Sequence, residues 1–191
     1  MIATQSSPYL TPKQYLKLEK SSTVKHEYID GAIYAMAGAT DAHVTITGNL
    51  FAALLSHLRG SDCRVYFSDM KVQIDAINRY YYPDVMVTCD RSDKSEATFK
   101  RNPLLIVEVL LESTANFDRG DKFADYQTLD SLKEYVLINT HRQRVECFRR
   151  NEKGLWVLQS YAPPQTEFEL RSVDLVGELV DLYENVKPEK L

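Results

Sequence analysis

The sequence predicts a single α/β domain, mixed α+β in character, in which helices flank one central mixed sheet. Two short aliphatic runs, residues 84–87 and 104–111, are bounded by proline and polar residues, which is typical of strands buried on both faces. Helical and strand patterns alternate around these runs, without repeats or low-complexity linkers. The length of 191 residues suits one domain with a sizeable core.

The chain is predicted to begin with a helix and a hairpin, after ten polar and loosely ordered residues. Thr11 and Pro12 are typical of a helix start, with threonine as the cap and proline in the first turn. Residues 27–36 surround the dipeptide Asp30-Gly31, which is a strong signal for a hairpin turn. These patterns predict one helix followed by two antiparallel strands.

The middle of the chain is predicted to hold a second helix and further strands. We expect Asp41 to cap a helix over residues 42–58, where apolar residues recur at spacings of three and four. Residues 63–74 are partly alternating and β-branched, which predicts a strand. Residues 91–102 are charged and lack periodicity, so they predict a loop, and residues 113–120 predict a connection.

The last part of the chain is predicted to consist mainly of strands. A helix is expected over residues 121–128 and a strand over residues 134–139. Residues 144–149 alternate in polarity, and a short turn joins them to residues 155–161, which predicts an antiparallel pair. Residues 176–183 predict a short helix or a strand.

Composition excludes several classes of protein. Cys63, Cys89 and Cys147 are far apart and odd in number, which argues against a disulfide framework and a cysteine zinc site and suits a reducing compartment. No apolar run approaches 18 residues, so we expect no membrane span and no signal peptide, and a cytoplasmic location. A net charge of −4 gives no global attraction for a polyanion, so nucleic-acid binding would need a local basic surface and metal ions.

Two acids occupy the aliphatic runs. Burying Asp84 or Glu108 in ionised form is unfavourable unless a cation or hydrogen-bond donors compensate. One alternative is that Asp84 caps its strand while Glu108 pairs with an arginine or lysine. The other is that the acids form one site together with Lys122. Two carboxylates can share Mg²⁺, and a lysine can orient or activate water, which is the combination that phosphodiester hydrolysis requires.

Several segments form a motif series in a defined order. They are Tyr82-Pro83-Asp84-Val85, residues 105–110, residues 118–126, residues 27–31, Ser68-Asp69 and residues 134–139. In these segments the chain resembles the Uma-type family of restriction endonucleases, which belongs to the PD-(D/E)XK nuclease superfamily. The resemblance extends over about residues 10–185, nearly the whole chain.

The resemblance implies a restriction-endonuclease-like central mixed sheet with an N-terminal helix and hairpin. It also implies Mg²⁺-dependent DNA hydrolysis, with Mn²⁺ able to substitute, by a homodimer without an organic cofactor. Asp84 and Glu108 match the two metal-binding acids. The superfamily lysine would stand two residues after the second acid, where this chain has Leu110. Within the family the lysine has moved to the following helix, which here gives Lys122.

Four further residues are candidates with ordinary alternatives. Glu27 completes the metal shell in related nucleases, or is a polar residue at a strand edge. Asp69 lines the cleft or ends its strand, and His43 contacts phosphate or belongs to a helix cap. Arg119 binds phosphate or lies on a solvated face. No HExxH motif occurs and His26 has no second histidine at ligand spacing, so a zinc hydrolase is not expected.

Three functional hypotheses follow. The first is a metal-dependent DNA endonuclease with Asp84, Glu108, Glu27 and Lys122 as its catalytic residues. The second is an inactive nuclease fold that serves as a nucleic-acid-binding or protein-interaction module, which Leu110 and the net negative charge favour. The third is a structural homodimer in which arginines neutralise the acids.

Overall fold

The computed structural model describes residues 9–36 and 38–187, and in them helices flank more than the one mixed sheet that the sequence predicts. Of the segment predicted to be loose, residues 1–8 lie outside the described residues. The helices are α1 (Pro12–Glu19), α2 (Asp41–His57), α3 (Ala115–Arg119), α4 (Asp121–Tyr126) and α5 (Leu179–Leu182). Each described helix is too short or too polar to span a bilayer.

The strands occupy most of the remaining chain. Those of the first half are β1 (His26–Ile29), β2 (Ala32–Ala35), β3 (Arg64–Phe67), β4 (Lys71–Ile74), β5 (Arg79–Tyr81), β6 (Val85–Thr88) and β7 (Phe99–Lys100). Those of the second half are β8 (Leu105–Leu110), β9 (Glu134–Asn139), β10 (Val145–Arg150), β11 (Trp156–Tyr161), β12 (Glu167–Leu170) and β13 (Leu175–Glu178).

The described strands form a central six-stranded sheet, a five-stranded sheet and a small pair. The six-stranded sheet has the order β11-β10-β9-β8-β6-β3, and the five-stranded sheet has the order β2-β1-β5-β4-β7. Both are mixed, because β8 and β9 are parallel in the first and β4 and β7 are parallel in the second. The predicted fold class is confirmed, and the hairpin β1–β2 forms one edge of the second sheet.

The two aliphatic runs become the middle of the central sheet. Every residue of β6 and β8 is buried, as their uninterrupted apolar sequence predicts. Leu50 and Leu54 of α2 cover one face of the sheet, and Phe123 and Tyr126 of α4 cover the other. Each such side chain contributes about 1.5–3 kcal/mol when fully buried. An acid within these strands therefore lies between two apolar layers.

The strand predicted over residues 63–74 is wrong in one respect, because the structure divides it into β3 and β4, which belong to different sheets. The division falls at Ser68, whose φ of +55° is left-handed and cannot continue an extended strand. The chain thus leaves the six-stranded sheet at Phe67 and enters the five-stranded sheet at Lys71. No residue type in this segment predicts the break between β3 and β4.

Helix boundaries show smaller differences. Thr11 and Gln14 form a capping box at the start of α1, which agrees with the predicted cap. In α2 the cap is Thr40 and not Asp41, because the Thr40 hydroxyl accepts a hydrogen bond from His43 N at 3.3 Å. Asp41 is the first helical residue, where its charge favours the helix dipole.

The connections also contain more regular structure than predicted. Residues 113–120 include the helix α3, and the loop at residues 91–102 includes the short strand β7. The strands β12 and β13 come before α5, so the segment 176–183 holds the end of a strand and a helix. The predicted antiparallel pair of β10 and β11 is confirmed.

The prediction that the cysteines form no disulfide is wrong. Cys63 and Cys89 form a disulfide. They flank the antiparallel pair of β3 and β6, in which Arg64 lies opposite Thr88, so the next position outward brings the two cysteines together. A separation of 26 residues conceals this neighbour relation in the sequence. Cys147 is free and buried, and the cytoplasmic location stays a prediction that cysteine usage no longer supports.

Candidate active site

The two strand acids are brought together by the pairing of β6 with β8. Val85 lies opposite Val107 in this antiparallel pair, so one further step places Asp84 opposite Glu108. Directly opposed residues in such a pair have Cβ atoms about 4.5–5.5 Å apart. The sheet register therefore makes the two acids neighbours although 24 positions separate their numbers in the sequence.

Asp84 is held by one of its two carboxylate oxygens. Its Oδ2 accepts a hydrogen bond from Val109 N at 2.7 Å and lies 3.1 Å from His43 Nε2. The side chain is 20% exposed, so it reaches the surface of the site. In the described part of the chain both contacts fall on Oδ2, which fixes the carboxylate and leaves Oδ1 as the oxygen for a further ligand.

Lys122 of α4 lies at the centre of an acidic cluster. Its Nζ is 2.9 Å from Glu108 Oε1, 3.0 Å from Glu27 Oε1 and 3.6 Å from Asp118 Oδ1. The Tyr126 hydroxyl donates to Glu108 Oε1 at 3.1 Å. All four charged side chains are at most 7% exposed. We call Glu27, Glu108, Asp118 and Lys122 the acid–lysine cluster.

The two sheets and two helices each contribute to this cluster. Glu27 comes from β1 of the five-stranded sheet, and Glu108 comes from β8 of the six-stranded sheet. Asp118 and Lys122 stand four residues apart across the junction of α3 and α4. Packing of Phe123 and neighbouring residues on the central sheet carries Lys122 into the interior. The cluster therefore depends on the tertiary fold and not on any single element.

The acid–lysine cluster contains more acidic side chains than basic ones. Burial raises the pKa of Glu108 well above its usual range, although Lys122 lowers it. The charges of Asp118 and Asp84 add to the rise. Burial alone would lower the pKa of Lys122, but Glu108 and Glu27 outweigh it and hold this pKa well above its usual range. The charged form of Lys122 is therefore favoured, and the acids around it outnumber it.

The structure brings some of the predicted site residues together and separates others. Asp84, Glu108, Glu27, Lys122 and His43 meet at one place. Glu108 pairs with a lysine, as one alternative anticipated, and that lysine is the candidate Lys122 itself.

Two predicted site residues have other partners. The Asp69 side chain is 79% exposed and forms an ion pair with Lys25. Arg119 Nη1 lies 2.6 Å from Glu146 Oε2. Neither residue belongs to the acid–lysine cluster, and their predicted contacts with substrate stay predictions.

Sequence reasoning missed two members of the site, Asp118 and Tyr126. Asp118 contacts Lys122 and Tyr126 contacts Glu108. A signal was present, because both residues stand four positions from Lys122 and such residues share a helix face. For Asp118 the signal was hidden because residues 113–120 were predicted to be a connection, where this spacing has no meaning. Tyr126 lies within the predicted helix, and its spacing from Lys122 was not used.

Two polar atoms of the site lack hydrogen bonds. Glu27 Oε1 and His43 Nδ1 are buried and accept or donate none in the described structure, although Glu27 Oε1 lies within ion-pair distance of Lys122. Buried polar atoms are normally satisfied. The described residues contain no ready-made group of three or more acidic, histidine or cysteine side chains placed to hold a metal ion. Within the acid–lysine cluster the Lys122 ammonium lies between the three carboxylates, within 3.6 Å of each.

A mixed sheet with an acid before one buried strand, an acid within its neighbour and a buried lysine defines a protein of the restriction-endonuclease-like fold class. The chain belongs to the Uma2 family, described as "Putative restriction endonuclease", and matches it over residues 12–178. This confirms the family resemblance seen in the sequence.

Comparison with individual proteins agrees with this membership. The chain is 39% identical over 168 residues to the uncharacterized protein slr1290 of Synechocystis sp., covering 88% of each chain. It is 35% identical over 172 residues to the uncharacterized protein sll1609 of the same organism, covering 88% of this chain and 97% of the other.

A solved structure shows the same fold. The crystal structure of a protein described as "a putative nuclease belonging to DUF820", from Anabaena variabilis, superposes with a TM-score of 0.75. The match covers 91% of this chain and 97% of the other at 17% sequence identity. At this identity the likeness establishes the fold and leaves the chemistry to be argued from the residues.

Proposed function

We propose that the protein is a metal-dependent endonuclease that hydrolyses phosphodiester bonds of DNA. The observation that carries this proposal is the acid–lysine cluster, in which three buried carboxylates share the single ammonium of Lys122, while Asp84 lies opposite Glu108 in the sheet. Burying such an excess of negative charge is unfavourable without a further cation. Membership in the Uma2 family and the fold support the same function.

The residues present fit Mg²⁺. The donors are carboxylate oxygens, which this ion prefers, and Mn²⁺ accepts the same ligands. Asp84 Oδ1 and Glu108 would hold the ion, and Glu27 would complete its shell directly or through water. The missing hydrogen bond at Glu27 Oε1 leaves that oxygen able to accept another partner. In such a site a divalent cation supplies charge stabilisation at the phosphoryl group and activation of water.

The protein side chains have separate tasks in this proposal. Val109 N and His43 orient Asp84 by fixing its Oδ2. Glu108 and Glu27 raise the pKa of Lys122, which favours its charged form, so we assign it the role of a hydrogen-bond donor to water or phosphate. The Lys122 ammonium has three N–H donors, and three acids lie within 3.6 Å of it. It can therefore donate a hydrogen bond to water only after one of these acids has moved to another partner.

Plasmid cleavage tests the proposal. We expect wild type to nick or linearise a supercoiled plasmid with Mg²⁺ or Mn²⁺, and Asp84→Ala and Lys122→Ala to lose this activity. The matched control is Asp62→Ala, because Asp62 is an exposed acid paired with Lys94 at 2.9 Å and remote in sequence from the site strands. Cleavage that survives both site substitutions would contradict the assignment.

A second candidate function is a non-catalytic module on the same scaffold. One observation favours it: each acid of the acid–lysine cluster already lies within 3.6 Å of Lys122, so the protein itself supplies part of the neutralisation. Calorimetric titration with Mn²⁺ separates the two. Binding heat that disappears in Glu108→Gln supports the nuclease, and absence of heat in wild type supports the module.

The oligomeric state belongs to the same proposal. We propose a homodimer, because a chain with one set of acids needs a second copy to cut both strands of a duplex in one encounter. Light scattering after size exclusion measures the mass directly. A monomeric protein that only nicks plasmid would support the nuclease function and contradict the homodimer.

A further inference from the structure

A recess of about 400 Å³ opens at the outer edge of the six-stranded sheet, beside the strand β3 that pairs with β6. The rings of Phe51 from α2 and Phe67 from β3 form one wall, with centroids 4.3 Å apart. Tyr66 and Lys71 line the recess as well. Its volume falls in the range of about 300–1,000 Å³ that is usual for sites of small ligands.

The recess is attached to the backbone that carries Asp84. Ser68 lies between the lining residues Phe67 and Asp69, and its N–H donates to Asp84 O at 3.1 Å. Lys71 Nζ donates to the hydroxyl of Tyr82, two residues before Asp84, at 3.1 Å. These two hydrogen bonds join the segment that lines the recess to the segment that carries Asp84.

The chemistry of the recess suits a flat ring that carries hydrogen-bond acceptors. Phe67 is 49% exposed, which is unusual for a large apolar ring and makes it available for stacking. Lys71 is only 7% exposed, and the polar contact of its ammonium is to the neutral hydroxyl of Tyr82. In the described sheets β3 is an outermost strand, so one edge of its backbone is open to a ligand.

We propose that this recess receives one nucleobase that has left the DNA stack, beside the phosphate held at Asp84 and Glu108. The proposal rests on the proposed nuclease function and adds a specificity site to it. Phe67 and Phe51 stack on the base, and Lys71 donates to an acceptor on its edge.

The test compares two DNA duplexes that differ only by one mismatched pair. A base leaves the stack most readily where its pair is already weakened, so a protein with a base pocket binds the mismatched duplex more tightly. We expect wild type to prefer it by about tenfold or more, measured by fluorescence anisotropy with Ca²⁺ in place of Mg²⁺ to keep the DNA intact. Plasmid cleavage with Mg²⁺ is measured in parallel.

Four variants make the test specific. Phe67→Ala and Lys71→Met should bring the preference close to one, whereas Phe67→Tyr should keep it because a ring remains. The matched control is Leu155→Ala, which truncates another exposed apolar side chain, 61% exposed and next to β11 at the opposite edge of the sheet. It should keep the full preference.

The outcomes separate this inference from the proposed function. Equal binding of both duplexes by a wild type that cleaves plasmid overturns the base pocket and leaves the nuclease standing. A preference that persists in Phe67→Ala and Lys71→Met overturns it as well. A wild type that shows the preference and does not cleave supports the pocket and contradicts the nuclease. Failure to bind either duplex overturns both the base pocket and the nuclease. If wild type shows no mismatch preference and Phe67→Ala no longer dimerises, the recess is instead a contact with a second copy of the chain.

Discussion

Two buried glutamates in the neighbouring parallel strands β8 and β9 are neutralised in different ways. Glu134 of β9 accepts from Arg149 Nε at 2.6 Å and from the N–H and hydroxyl of Ser172 at 2.9 Å each. One guanidinium and two neutral donors thus serve one carboxylate. Glu108 of β8 shares a single ammonium, that of Lys122, with two other acids.

The difference agrees with the separate roles proposed for the two acids, one structural and one metal-binding. Glu134 has a full set of donors and connects β9 to β10 and to the turn before β13, so it holds the fold together. Glu108 has too little positive charge around it, and its pKa is raised by burial and by neighbouring acids. A carboxylate cluster with fewer cations than acids is suited to bind a further cation.

The largest expected effect comes from removing the cation of each cluster. Lys122→Met and Arg149→Met should each lower the free energy of unfolding by about 3–5 kcal/mol, because each leaves a buried acid unpaired. Urea denaturation measures this. Saturating Mg²⁺ should restore part of the loss in Lys122→Met and none in Arg149→Met. Equal behaviour of the two variants in Mg²⁺ would remove the distinction between the clusters.

The next effect is stabilisation by the cation itself. At a free concentration of about one hundred times Kd, Mg²⁺ or Mn²⁺ should raise the free energy of unfolding of wild type by about 2.7 kcal/mol. The gain should disappear in Glu108→Gln and persist in Glu134→Gln, which alters an equally buried acid without changing the site. Thermal melts with and without the ion measure it. A gain that Glu108→Gln retains would place the ion elsewhere.

Neutralising the two glutamates in metal-free buffer should give opposite results. Glu134→Gln should cost about 1–3 kcal/mol, because an amide group cannot accept from all the donors that now surround the carboxylate. Glu108→Gln should leave the free energy of unfolding unchanged or slightly higher at neutral pH, since it removes a charge that burial and nearby acids disfavour. Urea denaturation in the presence of a chelator compares them. A large loss in Glu108→Gln would make it a structural acid like Glu134.

The central sheet and its acids could be predicted from the sequence because both depend on local sequence patterns. Continuous aliphatic runs show burial on two faces, and an acid within such a run stands out, as Glu108 does. Lys122 was grouped with the two acids as a possible water-activating residue, and the family resemblance supported that choice. Its position inside the protein depends on the packing of α4 on the sheet, which no local pattern reveals.

The features that the sequence did not show depend on pairing between distant segments. The disulfide of Cys63 and Cys89 follows from the register of β3 with β6. The break between β3 and β4 follows from one left-handed residue, Ser68, that has no glycine or proline signal. The position of Asp118 depends on the helix α3, which at five residues is too short to be predicted from its sequence.

The smallest expected effect concerns how Asp84 is oriented. His43→Ala should weaken Mn²⁺ binding by about tenfold, because a partner that fixes a ligating carboxylate contributes to affinity without touching the ion. The matched control is His57→Ala, since His57 lies at the other end of α2 and its ring contacts Val173 O at 2.9 Å. Calorimetric titration measures both variants, and thermal melts check that each is folded. A loss of affinity shared by both variants would point to α2 as a whole, whereas a loss confined to His43→Ala separates the orientation of Asp84 from the stability of the helix.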